Sequence, residues 1–275
     1  MDPSHDSAAD TSAIKVGLST SSVYSESTSV GFELAGRLGY DGVEVMVGLD
    51  AISTDLDALR NLQDYHQMPV LSVHAPTLLV LQRVWGKDPW DKLRRTAEAA
   101  TALGADSVVV HPPFRWQGRY ASAFVEGVSQ LNAETGVRFC VENMYPWRGP
   151  RGEFKAYLPG WDPTELPYDH LTLDLSHAST ARVSALELAK AWGPRLEHIH
   201  LTDGKGSFKD EHLVPGHGDQ EAAEVLHHAV NSEFSGHVVL EVNTRGAGSR
   251  EQREIDLIES LEFARTHLAA AAALG

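Results

Sequence analysis

Cysteine, basic side chains and long apolar runs are all scarce in this sequence. Cys140 is the only cysteine among 275 residues, so no disulfide can form within the chain, as is usual in a reducing compartment. No apolar run approaches the roughly 20 residues of a membrane span. Residues 1–13 are polar and lack the apolar core of a secretory signal. We therefore expect a cytoplasmic protein with a disordered tail at residues 1–13 and no membrane partner.

Basic side chains are outnumbered by acidic ones. Lys and Arg total 23 against 38 Asp and Glu, which gives a formal net charge of −15. An acidic chain repels the phosphates of nucleic acids and of anionic lipids. The charge balance therefore disfavours a nucleic-acid partner and favours a small-molecule substrate. Nothing in the sequence indicates an oligomeric state.

Apolar, β-rich runs recur eight times, and amphipathic segments separate them. These runs are 14–19, 42–47, 70–74, 106–111, 137–142, 170–175, 196–201 and 237–242. Their nearly continuous Val, Ile and Leu content is typical of parallel strands buried on both faces. Helices are predicted at 28–38, 54–67, 89–103, 120–135, 182–192, 220–231 and 250–268. Segment 143–169 is rich in Pro and Gly and has room for a short or irregular helix only.

Eight strands alternating with helices predict an α/β fold, a single (β/α)₈ TIM barrel over residues 14–268, with a tail at 269–275. An open doubly wound sheet is the alternative. The first strand is not followed by the Gly-rich phosphate-binding turn that such sheets often carry, which counts against this alternative.

Side chains that bind metals stand near the carboxyl-terminal ends of six predicted strands, where TIM barrels place their chemistry. They are His74, His111, Glu142, Asp174 with His177 just beyond it, His200 and Glu241. Since side chains alternate between the two faces of a strand, Glu142, Asp174, His200 and Glu241 can all point into the barrel at one place. Carboxylates cannot be buried together without compensation, so the pattern predicts a divalent metal ion.

The potential ligands are carboxylate oxygens and imidazole nitrogens, which suit Zn²⁺, Mn²⁺, Co²⁺ or Fe²⁺ better than Mg²⁺. The loop after the seventh strand, KDEHLVPGHG at 209–218, reaches the same end of the barrel and adds Asp210 and His212. Its GHG turn at 216–218 is predicted to present backbone N–H groups to an anion or a substrate hydroxyl, with His217 near the substrate. Glu44 is predicted to face the barrel interior as a buried hydrogen-bonding group.

These motifs resemble the xylose isomerase-like TIM barrels, a superfamily of sugar-phosphate isomerases and epimerases, inosose-processing enzymes and endonuclease IV. The resemblance is carried by GYDGVEV (39–45), VHAP (73–76), LGADSVVVHP (103–112), VEN (141–143), LDLSH (173–177), HIHLTD (198–203), DEHLVPGHGD (210–219) and LEVN (240–243). It covers nearly the whole chain, from Val16 to about Leu268. The order and spacing of the motifs are specific for the superfamily but say little about the reaction.

The resemblance implies two ligand sets. In the isomerases and epimerases one metal ion is held by two Glu, an Asp and a His, and these roles fall on Glu142, Asp174, His200 and Glu241. Endonuclease IV holds three metal ions with nine ligands. All nine have a matching position here, which adds His74, His111, His177, Asp210 and His212 to the same four. We therefore expect one to three ions of Zn²⁺ or Mn²⁺ per chain.

The resemblance also implies two alternative functions. The first is isomerisation or epimerisation of a small sugar, sugar phosphate or polyol ketone, in which Glu142 and Glu241 transfer protons through an enediolate. The second is endonuclease IV-like hydrolysis of abasic-site DNA or another phosphoester by a multi-zinc site. The acidic charge and the lack of a clear basic, aromatic groove disfavour it. A third hypothesis is a barrel that binds a metal or a ligand without catalysis. The loss of Glu142 or Glu241 would indicate such a barrel, but both glutamates are present.

Substrate contacts are predicted for His177, which would position substrate oxygens, and for segment 143–169. Its residues Trp147, Arg148, Arg151, Phe154 and Trp161 are predicted to form a lid that excludes water. The two arginines would be suited to hold a phosphate. The alternative for this segment is an ordinary surface excursion.

Overall fold

The protein is described by a computed structural model, which covers residues 14–76, 81, 83–149, 152–232 and 234–273. The described strands are β1 (Lys15–Ser19), β2 (Gly42–Met46), β3 (Val70–His74), β4 (Ser107–Val110), β5 (Arg138–Glu142), β6 (Trp147–Gly149), β7 (Gly152–Phe154), β8 (His170–Asp174), β9 (Leu196–Leu201) and β10 (His237–Leu240). All except β6 and β7 run parallel and close into a barrel in the order β1-β10-β9-β8-β5-β4-β3-β2. The predicted TIM barrel is confirmed, and the open sheet is excluded. The predicted tail at residues 1–13 lies outside the described residues.

Helices lie between the barrel strands. They are α1 (Thr28–Leu38), α2 (Leu56–His66), α3 (Pro89–Leu103), α4 (Arg119–Ser122), α5 (Phe124–Thr135), α6 (Leu175–Ala181), α7 (Ala185–Trp192), α8 (Ala222–Asn231) and α9 (Arg250–Ala272). The predicted bounds of α1 and α3 are correct at both ends. Each of these helices ends at a glycine in the left-handed region, Gly39 with φ 87° and Gly104 with φ 76°, where a side chain would be strained.

Several other helix boundaries differ from the prediction. α2 begins at Leu56 because the Asp55 side chain accepts hydrogen bonds from the first-turn N–H groups and so caps the helix. The helix predicted over 120–135 is divided into α4 and α5 at Ala123. α9 continues to Ala272, so most of the predicted tail at 269–275 is helical, as its run of alanines favours. Among the described helices, none, α9 included, is both long and apolar enough to cross a lipid bilayer.

The short helix α6 directly follows β8 and is absent from the prediction. The Asp174 side chain starts it by accepting a hydrogen bond from the His177 N–H at 2.7 Å. Arg182 ends it in the left-handed region, with φ 62°, so the helix predicted from Arg182 begins instead at Ala185. His177 consequently lies on the first turn of a helix whose N-terminal end faces the barrel mouth.

The described residues between β5 and β8 contain no helix, whereas the sequence predicted a short or irregular one there. They form the antiparallel hairpin β6–β7, in which Trp147 pairs with Phe154. A small second core of Phe114, Met144, Ala156 and Tyr157, with Trp161 packed against it, anchors this segment.

The interior of the barrel is polar to an unusual degree. Glu44, Ser72, Thr172 and His198 all have 0% exposure, and they alternate with the Val, Ile and Leu residues that face the helices. TIM-barrel interiors are dominated by branched aliphatic side chains. Polar groups at this depth must satisfy one another, so the interior is arranged around them.

Gly42 on β2 has no room for a side chain. A Cβ atom there would lie 2.6 Å from Leu71 Cγ and 2.7 Å from the Pro69 carbonyl oxygen. We expect Gly42→Ala to lower the free energy of unfolding by about 1–3 kcal/mol, because the backbone oxygen cannot move aside freely. Chemical denaturation measures this change. In the control Gly48→Ala, the nearest atom is Met46 O at 3.9 Å, and a change below about 0.5 kcal/mol is expected. Equal losses in both variants would contradict the prediction.

Candidate metal centre

Four side chains, here called the quartet, converge at the carboxyl-terminal end of the barrel. Glu142 ends β5, Asp174 ends β8, His200 lies in β9 and Glu241 directly follows β10. One potential ligand atom from each lies within 4.8 Å of the others. His200 Nδ1 is central, at 3.0 Å from Glu241 Oε2, 3.2 Å from Glu142 Oε1 and 3.6 Å from Asp174 Oδ2.

Strand register explains why residues so distant in sequence meet. Asp174 on β8 pairs with His200 on β9, and His200 pairs with Val239 on β10. The next inward position after Val239 is Glu241, because side chains alternate along a strand. Barrel closure therefore places the quartet at one height of the interior.

The quartet has the properties of a cation site. Asp174 and His200 are fully buried, Glu142 is 1% exposed and Glu241 is 9% exposed. Glu142 Oε2 and Asp174 Oδ2 have no hydrogen-bond partner among the described residues. His111 Nε2 lies 2.8 Å from Glu142 Oε2 but outside hydrogen-bond geometry. Buried anionic oxygens without partners are costly, so these residues fit a divalent metal ion, which would supply the missing positive charge.

Glu142 and Glu241 have opposite pKa shifts although they share one pocket. Burial has the largest effect on the pKa of Glu142 and raises it, but the imidazoles of His111 and His200 together outweigh burial and hold this pKa well below its usual range. Burial raises the pKa of Glu241, and the negative charge of Glu142 raises it further, despite the opposing imidazoles. Glu241 therefore takes up a proton more readily than Glu142.

His74 and His111 extend the cluster on the side of β3 and β4. His74 ends β3, and His111 directly follows β4. Their Nε2 atoms lie 3.4 Å and 2.8 Å from Glu142 Oε2, and their rings meet edge to face with centroids 4.8 Å apart. Together with Glu142 they form a second group with the spacing of metal ligands.

His177, Asp210 and His212 extend the cluster towards α6 and the loop after β9. Asp210 Oδ2 lies 3.1 Å from His177 Nε2 and 3.0 Å from His212 Nε2, and both histidines form a third ligand-spaced group with Asp174. Ser176 Oγ donates to Asp210 Oδ1 and accepts from the His212 N–H, which fixes this loop to α6. The structure thus brings all nine predicted ligand side chains into one cluster.

Asn143 is not among the predicted site residues, yet it holds two of them in place. Its side chain donates to Asp174 O at 3.0 Å and accepts from the Asp174 N–H at 2.8 Å. His177 Nδ1 lies 2.8 Å from Asn143 O. Asn143 therefore joins the end of β5 to the end of β8 through its side chain. The VEN motif at 141–143 is the sequence signal that would have found it.

Asp203 organises the loop after β9 and corrects the prediction for the GHG turn at 216–218. Its Oδ2 accepts from the Gly216 N–H at 2.9 Å, and its Oδ1 accepts from the N–H groups of Gly204 and Gln220 at 2.8 and 3.1 Å. The Gly216 N–H is therefore bonded to a carboxylate of the protein itself and is not directed at a substrate. Asp203 is only 2% exposed.

His217 is not directed at the cluster, contrary to its predicted substrate role. Its Nε2 lies 2.6 Å from Glu259 Oε1 on α9. Both side chains are about half exposed on the outside of the barrel. This pair joins the loop to α9.

Arg148 is also engaged elsewhere, contrary to its predicted role in binding a phosphate. Its guanidinium donates to the carbonyl groups of residues 180 and 181 at 2.6 and 3.2 Å and to Glu153 Oε1 at 3.0 Å. It thus satisfies carbonyl groups at the C-terminal end of α6 and ties the hairpin β6–β7 to that helix. Arg151 lies outside the described residues.

Trp147 belongs to an aromatic cluster formed by the hairpin and the loop after β4. The Phe114 ring stacks on Trp116 with centroids 4.7 Å apart and meets Trp147 edge-on at 5.7 Å. Trp116 and Trp147 remain 50% and 37% exposed. The rings of Tyr145 and His177 pack together with centroids 5.1 Å apart. The segment that follows β5 therefore reaches the cluster of nine predicted ligand side chains.

Comparison with protein families gives one match over most of the chain. The model of a family described as xylose isomerase-like TIM barrel matches residues 32–267. An uncharacterized protein of Mycobacterium tuberculosis is 51% identical over 275 residues, which cover 93% of this chain and 98% of that protein. The fructoselysine 3-epimerase of Escherichia coli O157:H7 is 20% identical over 234 residues, which cover 78% of this chain and 84% of that enzyme.

Solved structures with the same fold include sugar epimerases. A D-tagatose 3-epimerase-like protein superposes with a TM-score of 0.67 and 23% identity, over 92% of this chain and 99% of that one. D-psicose 3-epimerase, crystallised in the presence of D-fructose, superposes with a TM-score of 0.66 and 15% identity, over 93% of this chain and 99% of that one. At these identities the comparisons show the shared fold.

Asp203 provides a test of the loop that carries Asp210 and His212. We expect Asp203→Ala to lower the free energy of unfolding by at least about 3 kcal/mol, because three backbone N–H groups lose a charged acceptor and each such bond contributes about 1.5–3 kcal/mol. Chemical denaturation measures the loss. Asp219→Ala, an exposed change in the same loop, is the control and should cost less than about 0.5 kcal/mol. A loss no larger than that of the control would show that Asp203 does not hold the loop.

Proposed function

The chain belongs to the xylose isomerase-like TIM barrel family, and we propose that it is a divalent-metal-dependent isomerase or epimerase of a small sugar, sugar phosphate or polyol ketone. One observation carries the proposal. Two buried glutamates from non-adjacent strands, Glu142 and Glu241, approach the same His200 nitrogen at 3.2 and 3.0 Å. Two carboxylates that face one small space are suited to remove and return a proton on opposite sides of a substrate carbon.

The quartet would hold the metal ion, with Zn²⁺ or Mn²⁺ as the ions that best suit one imidazole and three carboxylates. When bound, such an ion supplies Lewis acidity, which makes the hydrogen next to a substrate carbonyl more acidic. His74 and His111 lie beside Glu142 and restrict how its carboxylate can turn. Ser21 Oγ donates to Glu241 Oε1 at 2.9 Å and orients the second glutamate in the same way.

Proton transfer is the task of the two glutamates. One carboxylate removes the proton from the carbon beside the carbonyl, and the electrons of the broken C–H bond move into the carbonyl group to give an enediolate. The other glutamate, in its acid form, returns a proton to that carbon. Return to the opposite face inverts the carbon and gives epimerisation. Return to the former carbonyl carbon, with the hydroxyl proton passing from one enediolate oxygen to the other, gives isomerisation.

The surroundings of the site suit a small polyhydroxylated substrate. His177 lies at the edge of the quartet, with Nδ1 3.2 Å from Glu142 Oε1, and would position a substrate oxygen. Trp147 and its aromatic neighbours would shield the barrel mouth from water. The relatives and fold neighbours named for fructoselysine, D-tagatose and D-psicose support a ketose or ketose derivative.

A second candidate is hydrolysis of a phosphoester by two or three metal ions. It is favoured by two of the three further ligand-spaced groups, one with His74 and His111 and one with His177 and His212. Glu142 and Asp174 each belong to two groups, so ions bound there would lie close together, as two-metal hydrolysis requires. The net charge of −15 opposes a DNA substrate.

Hydrogen exchange tests the proposed proton transfer. The Mn²⁺-loaded protein is incubated in D₂O with D-fructose, D-tagatose, D-psicose, their phosphates and fructoselysine, and NMR follows deuterium at the carbons next to the carbonyl. We expect exchange with at least one sugar and a loss of about 10²–10⁴-fold in Glu142→Gln. Glu197→Gln on β9, where the side chain contacts Arg138 and His170 away from the quartet, should retain the rate. An active Glu142→Gln protein would contradict the assignment of this residue.

Metal content distinguishes the two candidate functions. Elemental analysis of the purified protein should find about one divalent ion per chain for the isomerase and two or three for the phosphodiesterase. An abasic-site oligonucleotide should remain intact when it is incubated with the metal-loaded protein. Two or three ions together with metal-dependent nicking would replace the first candidate with the second.

A further inference from the structure

Glu44 lies one layer below the quartet, inside the barrel and without exposure to solvent. Its Oε1 is 3.1 Å from His200 Nε2, and its Oε2 accepts a hydrogen bond from Ser72 Oγ at 2.7 Å. His198 Nε2 lies 3.0 Å from Oε2 but outside hydrogen-bond geometry. None of the proton transfers proposed above uses this carboxylate.

His200 therefore has carboxylates on both sides of its ring. Nδ1 faces Glu142, Asp174 and Glu241, whereas Nε2 faces Glu44. The two faces have different chemistry. The Nδ1 side contains Glu142 Oε1, at hydrogen-bond distance of 3.2 Å, and also oxygens without hydrogen-bond partners. The Nε2 side contains a carboxylate whose other oxygen is already bonded to Ser72.

We infer that Glu44 is a positioning residue, which keeps a proton on His200 Nε2 and so makes Nδ1 the metal-binding atom. The inference rests on the proposed binding of a metal ion by the quartet. A neutral imidazole carries one proton, and an ionised carboxylate can only accept hydrogen bonds. The contact between Glu44 Oε1 and Nε2 is therefore satisfied when the proton is on Nε2 and the lone pair is on Nδ1.

The position of Glu44 has two physical consequences for the metal. The hydrogen bond fixes the plane of the His200 ring, so Nδ1 is aimed at the quartet before an ion arrives. The negative charge of Glu44 also increases the basicity of the imidazole and hence its strength as a ligand. Loss of such an outer carboxylate typically weakens metal binding by 10–100-fold.

Two serines provide a matched pair for the test. Ser72 on β3 and Ser107 on β4 occupy paired positions of adjacent strands, and both are buried. Ser72 Oγ donates to Glu44, whereas Ser107 Oγ has no hydrogen-bond partner among the described residues. Ser72→Ala and Ser107→Ala therefore remove the same group of atoms, but only the Ser72 hydroxyl contacts the Glu44 carboxylate.

The experiment measures the Kd for Mn²⁺ and the thermal stability of the metal-free protein in the wild type and three variants. We expect the Kd to rise by about 10–100-fold in Glu44→Gln, by a few-fold at most in Ser72→Ala and not at all in Ser107→Ala. A purely structural role for Glu44 would lower the thermal stability and leave the Kd unchanged, which would overturn the inference.

A second measurement does not depend on any Glu44 variant folding. In wild-type protein loaded with Zn²⁺ and labelled with ¹⁵N-histidine, NMR should find a proton on His200 Nε2 and none on Nδ1. The variant His198→Gln is used to separate the ring signals of His198 from those of His200. A proton on Nδ1, or none on either nitrogen, would overturn the inference. Wild-type protein that binds no divalent ion would overturn the proposed function as well, whereas an unchanged Kd in a folded Glu44→Gln protein overturns this inference alone.

Discussion

The site depends on the burial of several carboxylates around a single imidazole. His200 has an acidic group at each ring nitrogen, with Glu44 below and three carboxylates of the quartet above. Anionic groups in a space closed to water repel one another unless positive charge is supplied. Imidazoles supply part of it, and the partnerless oxygens of Glu142 and Asp174 mark where the rest is missing. The proposed metal ion would balance the negative charge that the barrel gathers at this place.

Closure of the barrel separates the apolar core from the polar residues that lie beneath the site. The outward faces of the strands carry the aliphatic core shared with the helices. The inward faces are then free to carry Glu44, Ser72, Thr172 and His198, and these form a polar layer beneath the quartet. This layer fixes the floor of the site, while the hairpin β6–β7 and the loop after β9 form its rim.

The rim is held by polar side chains that bind backbone groups. Asp203 accepts three N–H groups of the loop after β9, Asn143 bridges β5 and β8, and Arg148 ties the hairpin to α6. Each of these residues is charged or polar and lies close in sequence to a predicted ligand or substrate residue. Chemistry alone therefore cannot distinguish an anchor from a ligand: Arg148 and His217, both predicted to bind substrate, contact other groups of the protein in this structure.

The sequence by itself determined the eight-stranded barrel, the bounds of α1 and α3, and the set of nine candidate ligand side chains that the structure gathers. Period-two alternation and residue type are local properties, and they suffice because a closed parallel barrel leaves few ways to arrange eight inward faces. Only the tertiary structure decided which oxygens lack hydrogen-bond partners and that α6 carries His177. It also decided that Asp203 accepts a hydrogen bond from the GHG turn and that Glu44 faces His200 Nε2. These facts depend on contacts between strands far apart in sequence, such as β2 and β9, whose relative height is set by barrel register and not by any local pattern.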